Sequence, residues 1–161
     1  MEVDPAGLRA IVISGEVPRV TEFETGFPIH LARAGDGWEP DPLILDDQNV
    51  IVDVAGKGLV VVSGCSHAGA VNVLRNARRL AGRDRIAGFV GGFHLTGATF
   101  EPLIDPTIAA FADLGVERFV PGHCTAGRPP TASPRPCPAP SSSRRLAPSW
   151  PSERRRRRLL G

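Results

Sequence analysis

The sequence predicts an α/β domain over residues 1–127, followed by a disordered tail over residues 128–161. Two observations predict the domain: short β-branched runs lie between turn residues, and they alternate with segments whose apolar positions recur at helical spacing. A third observation predicts the tail, where the composition changes abruptly to Pro, Arg, Ser and Ala. The chain is long enough to bury one core, and its 42% hydrophobic content excludes a wholly disordered protein.

The first predicted elements are three strands and a helix. Residues 10–14, 50–54 and 59–63 are β-branched runs, which favour extended backbone. A glycine-containing loop follows the third run, and helical periodicity begins at about residue 71. The apolar positions of this helix are Val71, Leu74, Ala77 and Leu80.

The remaining elements are a strand, a second helix and a last strand. Residues 86–90 form the strand. The second helix is predicted to have Asp105 as its cap and Pro106 in its first turn, and to end at Gly115. Residues 118–120 form the last strand, so that strands and helices alternate, as in α/β folds.

The tail differs from the rest of the chain in charge as well as in composition. Residues 128–161 hold nine of the 19 basic residues, one of the 17 acidic residues and eight of the 16 prolines. Their apolar side chains follow no helix or strand period, so we expect disorder. A basic tail of this kind could bind nucleic acid without sequence preference. Because Pro, Arg, Ser and Ala share GC-rich codons and the tail contains no Lys, we favour translation in an altered reading frame over a selected arm.

Membrane and secretion signals are not found in the sequence. No apolar run approaches the roughly 18 residues that cross a membrane, and the N-terminus lacks the layout of a signal peptide. The three cysteines, Cys65, Cys124 and Cys137, match no disulfide framework, which favours a reducing compartment. We therefore expect a soluble, cytoplasmic protein with no membrane partner.

Three of the four histidines follow predicted strands. His67, His94 and His123 each lie in a glycine-containing loop that leaves a strand. In layered α/β proteins such loops gather at one end of the sheet and form the usual site. Imidazole is a good ligand for Zn²⁺ and similar divalent ions. A single histidine after a strand is more often a surface residue, but the threefold recurrence predicts a shared metal site.

Other polar residues fit structural roles better. His30 lies outside any such loop, and we interpret it as structural. Cys65 and Cys124 neighbour the candidate histidines, either close to the metal or as small buried side chains. Asp46 and Asp47 precede a strand, where a turn with solvated acids is preferred over a substrate or metal role.

Five short motifs occur in the order found in a known family. They are residues 15–19 (GEVPR), 46–48 (DDQ), 64–69 (GCSHAG), 91–95 (GGFHL) and 123–125 (HCT). In these motifs the chain resembles the metallo-β-lactamase-fold hydrolases, in the branch that includes the dihydropterin-ribofuranosylaminobenzene phosphate synthase. The resemblance covers roughly residues 8–127.

This resemblance implies the C-terminal half of a metallo-β-lactamase αββα sandwich, with His67, His94 and His123 as metal ligands. The implied chemistry is hydrolysis by divalent ions, in the first place zinc, which lower the pKa of a bound water. The His-x-His-x-Asp-His motif of the family does not occur in the sequence. We therefore expect weak or no activity from this chain alone, and an uncovered sheet face that favours self-association.

Two functions stay open at this point. The first is metal-dependent hydrolysis of a small molecule that the sequence does not identify. The alternative is a non-enzymatic, incomplete domain that binds an ion or a partner, with nonspecific nucleic-acid affinity from the tail. An in-frame His-x-His-x-Asp-His stretch upstream of Met1 in the encoding DNA would favour the hydrolase.

Overall fold

The structure, a computed structural model, describes residues 8–125. These residues form a five-stranded mixed sheet, two helices and a short hairpin. The predicted domain end at residue 127 and the predicted disorder of residues 128–161 lie outside the described residues. Within residues 8–125 no helix is long and apolar enough to cross a membrane. The elements are β1 (Leu8–Ile13), β2 (Leu31–Ala34), β3 (Gly37–Pro40), β4 (Asn49–Val54), β5 (Gly58–Ser63), α1 (Ala70–Ala81), β6 (Ile86–Gly91), a 3₁₀ turn (Glu101–Leu103), α2 (Ile104–Asp113) and β7 (Phe119–Pro121).

The order of the strands in the main sheet is β1-β4-β5-β6-β7. β4 pairs antiparallel with both β1 and β5, whereas β6 pairs parallel with both β5 and β7. Helices α1 and α2 make the two crossover connections that parallel neighbours need. Because β5, β6 and β7 run in the same direction, the loops that follow them emerge at one edge of the sheet.

One face of the sheet is covered by both helices. Leu74 of α1 and Phe111 of α2 are buried with Val61 and Phe89 of the sheet in a single hydrophobic cluster. The rings of Phe89 and Phe111 lie 5.8 Å apart, so α2 packs directly on β6. Burial of these side chains supplies the main favourable term for folding.

The opposite face carries an apolar row that crosses all five strands. The strand register aligns Ile13 with Val50, Val50 with Val62, Val62 with Val90, and Val90 with Val120. Ile13 is 58% exposed, Val62 43%, Val90 39% and Val120 55%. A β-branched row of this kind normally packs against another layer. The uncovered face that the sequence predicts is therefore present in the described residues.

Most predicted elements are confirmed, one prediction needs correction, and one element is not predicted from the sequence. Helix α2 begins at Ile104, directly after the 3₁₀ turn, so Asp105 lies inside the first turn and is not the cap. The β2–β3 hairpin was not predicted, because its two four-residue strands are largely exposed and show no apolar alternation.

Candidate metal centre

The loops that follow β5, β6 and β7 lie against one another. The Gly92 amide donates to the Gly64 carbonyl at 3.1 Å, and the Gly122 amide donates to the Gly91 carbonyl at 2.6 Å. The Phe93 amide donates to Thr125 Oγ1 at 3.1 Å. These bonds continue the sheet beyond the ends of its strands and fix the spacing of the three loops.

Each of these loops contains one non-glycine residue in the left-handed region. The φ angles are 55° for Ser66, 50° for His94 and 50° for Cys124. Such residues cost free energy, and they cluster at functional sites where the surroundings impose the conformation. Ser66 shows what imposes it: its Oγ lies 2.8 Å from Ser63 Oγ and 2.7 Å from the Gly92 carbonyl oxygen.

The imidazoles of His67 and His94 meet edge to face at the centre of these loops. Their ring centroids are 4.6 Å apart and the ring planes are inclined at 88°. His94 Nδ1 lies 3.4 Å from Cys65 Sγ, whereas His94 Nε2 is buried and has no hydrogen-bond partner. Cys65, His67 and His94 each offer a ligand atom within 4.8 Å of the others.

His123 belongs to a second, adjoining group. It lies exposed after β7, and its ligand atom is within 4.8 Å of those of Cys65 and Cys124. Cys65 is common to both groups, and its Sγ is 2.7 Å from Cys124 Sγ. The structure thus places all three predicted histidines at the same edge of the sheet, and a single site shared by all three stays a prediction.

Burial sets the charge state of this centre. It lowers the pKa of His67 and of His94, and the nearby carboxylate of Asp47 opposes this effect at both rings. Desolvation, followed by the contact with Cys124, raises the pKa of Cys65 to about 12. At neutral pH His67 and His94 are therefore neutral imidazoles, the form that binds a metal, and Cys65 is a protonated thiol.

Two residues outside the three loops hold the loop of His67. The Arg19 guanidinium donates to the His67 carbonyl at 3.2 Å and also to the Leu43 carbonyl. Asp47 Oδ2 accepts a hydrogen bond of 3.3 Å from the Ala68 amide. The interpretation of a solvated turn fits the exposed Asp46, but it does not describe the half-buried Asp47.

Helix α1 is capped by a buried carboxylate, that of Glu24, which was not predicted from the sequence. Glu24 accepts hydrogen bonds from the Val71 amide at 2.8 Å and from the Asn72 amide at 2.9 Å, and its Oε2 accepts one from Thr21 Oγ1 at 2.9 Å. Gly69, the residue before the helix, makes room for it, because a Cβ there would lie 2.4 Å from the carboxylate. The local spacing of Thr21 and Glu24 matches a capping box, but the helix that Glu24 caps lies 47 residues further on.

A small cleft opens beside the centre. His67 and His94 line it together with Glu24, Phe100 and Thr107. The ring of His94 lies 4.5 Å from that of Phe100 and 4.9 Å from that of Phe27. The His94 ring is therefore packed between two aromatic side chains.

Comparisons with known proteins agree with this description. The chain is 38% identical over 81 residues to the 7,8-dihydropterin-6-methyl-4-(β-D-ribofuranosyl)-aminobenzene-5′-phosphate synthase of Methanocaldococcus jannaschii, a match that covers 50% of this chain and 27% of the synthase. It is 35% identical over 89 residues to an uncharacterized protein of the same organism, covering 55% of this chain and 30% of that protein. A scan against protein-family profiles finds no match.

The fold has a counterpart among solved structures. The crystal structure of a metal-dependent hydrolase of the beta-lactamase superfamily superposes with a TM-score of 0.61 at 29% identity, covering 79% of this chain and 46% of that hydrolase. The chain thus spans between about a quarter and a half of the proteins that it matches. The resemblance in fold and motifs that the sequence indicates is confirmed.

Proposed function

We propose that this chain, which has the fold of the metal-dependent hydrolases of the beta-lactamase superfamily, carries part of a hydrolase metal centre in which His67, His94 and His123 hold a divalent ion, zinc in the first place. The observation that carries the proposal is His94 Nε2, a buried nitrogen without a partner beside the ring of His67. Buried polar atoms normally have partners, so a buried and unpaired imidazole nitrogen indicates a ligand.

The donor set fits such an ion. Neutral imidazoles and a neighbouring sulfur are the ligands that zinc prefers. The contact between His94 Nδ1 and Cys65 Sγ restricts rotation of the ring, and His94 Nε2 is left without a partner in the protein. A partner on the second nitrogen of this kind fixes the ring orientation of a metal-binding histidine.

When bound, the ion would supply an activated water for attack on an ester, amide or phosphoester. The residues of the chain prepare the site for it. Arg19 donates a 3.2 Å hydrogen bond to the His67 carbonyl, and Asp47 accepts one of 3.3 Å from the Ala68 amide, so both residues hold the backbone of the His67 loop. Phe27 and Phe100 pack on the His94 ring and hold it in place.

Calorimetric titration of the full chain with Zn²⁺ tests the proposal. His67→Ala, His94→Ala and His123→Ala should each weaken Zn²⁺ binding by at least about tenfold, since each removes one of a few ligands. His30→Ala is the matched control, because His30 Nδ1 lies against Asp41, 3.0 Å from its carbonyl oxygen and 3.3 Å from its Oδ2. Equal affinity in the wild type and the His94 variant would refute the assignment.

A second candidate function, binding of an ion or a partner without turnover, is favoured by the uncovered row of Ile13, Val50, Val62, Val90 and Val120. The two candidates differ in turnover. The Zn²⁺-loaded chain and its His94→Ala variant should be assayed with bis(p-nitrophenyl) phosphate and p-nitrophenyl acetate. Zn²⁺ binding with no hydrolysis above that of the variant would support the binding function.

A further inference from the structure

We propose that Cys65 and Cys124 form a reversible modification site, in which a two-electron oxidant such as a peroxide joins them in an intramolecular disulfide. The inference does not depend on the proposed metal centre. It rests on how the fold places two cysteines that lie far apart in the sequence.

The two sulfurs are in contact. Cys65 Sγ and Cys124 Sγ lie 2.7 Å apart, although the residues are separated by 59 positions. Cys65 lies in the loop after β5 and Cys124 in the loop after β7. Both are free thiols and both are half-buried, so a small oxidant can reach them.

The loop after β6 holds the pair together. Gly92 lies between the two cysteine loops: its amide bonds the Gly64 carbonyl at 3.1 Å, and a Cβ on Gly92 would lie 2.8 Å from Cys124 Sγ. Glycine at this position therefore leaves the space that Cys124 Sγ occupies beside Cys65. With φ at 50°, Cys124 holds a backbone conformation that most side chains avoid, and the surrounding loops impose it. Because the fold already holds the two thiols together, forming the disulfide costs no further loop-closure entropy.

The chemistry balances in two steps. One thiol gives up its proton as its sulfur attacks a peroxide oxygen and becomes a sulfenic acid, and the O–O bond breaks to release hydroxide, which takes up that proton to give water. The second sulfur then attacks the sulfenic sulfur, the S–S bond forms, and the displaced hydroxide leaves as a second water after protonation. Each thiol loses one hydrogen and the pair loses two electrons, which reduce the peroxide to two waters. A dithiol reductant reverses the change.

The disulfide would change the surroundings of the histidines. It would join the loops that carry His67 and His123, and it would remove the thiol hydrogen from the sulfur that contacts His94 Nδ1 at 3.4 Å. Oxidation of the pair is thus a change within the centre itself and not at a remote surface.

The test uses the full chain carrying Cys137→Ser, treated with hydrogen peroxide in the presence of a chelator. After blocking of free thiols and tryptic digestion, mass spectrometry should find peptide 58–75 joined to peptide 119–144, and dithiothreitol should separate them. Cys137→Ser is needed because residues 119–144 contain both Cys124 and Cys137. The joined peptide should form equally at high and low protein concentration, as an intramolecular bond requires.

Three comparisons make the test decisive. In guanidinium chloride the same chain should form the joined peptide at least tenfold more slowly, because unfolding separates the two sulfurs. Cys65→Ser and Cys124→Ser should yield no joined peptide, while the wild type should yield the same bond as the Cys137 variant. The proposal is overturned if both cysteines stay open to alkylation, if they oxidise singly to sulfinic acid, or if the folded and unfolded chains react at equal rates.

Discussion

Replacing Glu24 by alanine should destabilise the domain more than any exposed acidic substitution. Helix α1 has no side-chain cap of its own, since the residue at its N-cap position is Gly69. The four amides of a first turn lack partners within the helix, and Glu24 supplies acceptors for those of Val71 and Asn72. Both amides are buried, so water cannot easily replace the carboxylate.

The magnitude follows from those contacts. Loss of an ordinary cap costs about 1 kcal/mol, and a buried donor left without a partner costs roughly 1–3 kcal/mol. Glu24→Ala leaves two such donors and also removes the acceptor of Thr21. Allowing for partial relaxation of the loop, we expect a loss of about 3 kcal/mol in the free energy of unfolding. In a domain of this size that lowers the melting temperature by roughly 10 °C.

Urea and thermal unfolding followed by circular dichroism measure the effect. Glu22→Ala is the matched control, because Glu22 is exposed and lies two positions away; its free energy of unfolding should stay within about 0.5 kcal/mol of the wild type. A Glu24→Ala variant as stable as the Glu22→Ala variant would show that the carboxylate does not cap α1 and would refute the reasoning.

The pH dependence of stability gives a second measurement on the same residue. Burial raises the pKa of Glu24 above its ordinary value, although its hydrogen bonds with Val71, Asn72 and Thr21 act in the opposite direction. A raised folded-state pKa adds stability below the unfolded pKa, and this gain is lost as the pH rises through the folded value. The stability of the wild type relative to Glu24→Gln, which does not titrate, should therefore decrease from pH 4 to neutral pH. A constant difference would contradict the shift.

Three further outcomes are expected. Gly69→Ala should lower the melting temperature more than Gly82→Ala, because both glycines have positive φ but only the Cβ at Gly69 meets the Glu24 carboxylate; equal losses would contradict the clash. Val62→Lys on the uncovered row should reduce self-association in sedimentation velocity runs, and a wild type that is already monomeric would contradict a role of that face in pairing two copies. Deleting residues 128–161 should leave the far-UV circular dichroism unchanged and abolish salt-sensitive DNA binding; a changed spectrum would show that these residues belong to the fold.

The sheet and the first helix could be predicted because their sequence periods are strong. Local sequence is enough to predict the β-branched strands β4 and β5 and the apolar face of α1. Most of the side chains that these patterns place inside are buried in the structure. The hairpin of β2 and β3 escaped prediction because it is exposed and its strands carry little apolar signal. The observed start of α2 differs from the predicted one because the preceding 3₁₀ turn leads directly into the helix, so that no cap at Asp105 is needed.

The placement of the histidines after strands was predictable, whereas their supporting contacts were not. Parallel strands bring their following loops to one edge, which requires only the order of the elements. The contact of His67 with His94, the thiol beside His94 and the carboxylate of Glu24 depend on distances between residues that lie tens of positions apart. No spacing rule in a single sequence encodes such distances, and the spacing of Thr21 and Glu24 would indicate a helix that begins at Thr21, where the structure has none.

The loop of His67 shows why stability and metal affinity should change together in this chain. Residues 64–69 connect β5 to α1, and three side chains from the segment between β1 and β4 hold this connection. Arg19 binds the His67 carbonyl, Asp47 binds the Ala68 amide, and Glu24 packs against Gly69 while it caps the helix. Removing the Glu24 carboxylate therefore also loosens the backbone that positions the His67 side chain. Ligands of a metal must be held to within about half an ångström, so the loss of the cap should weaken Zn²⁺ binding even though Glu24 is not itself a proposed ligand.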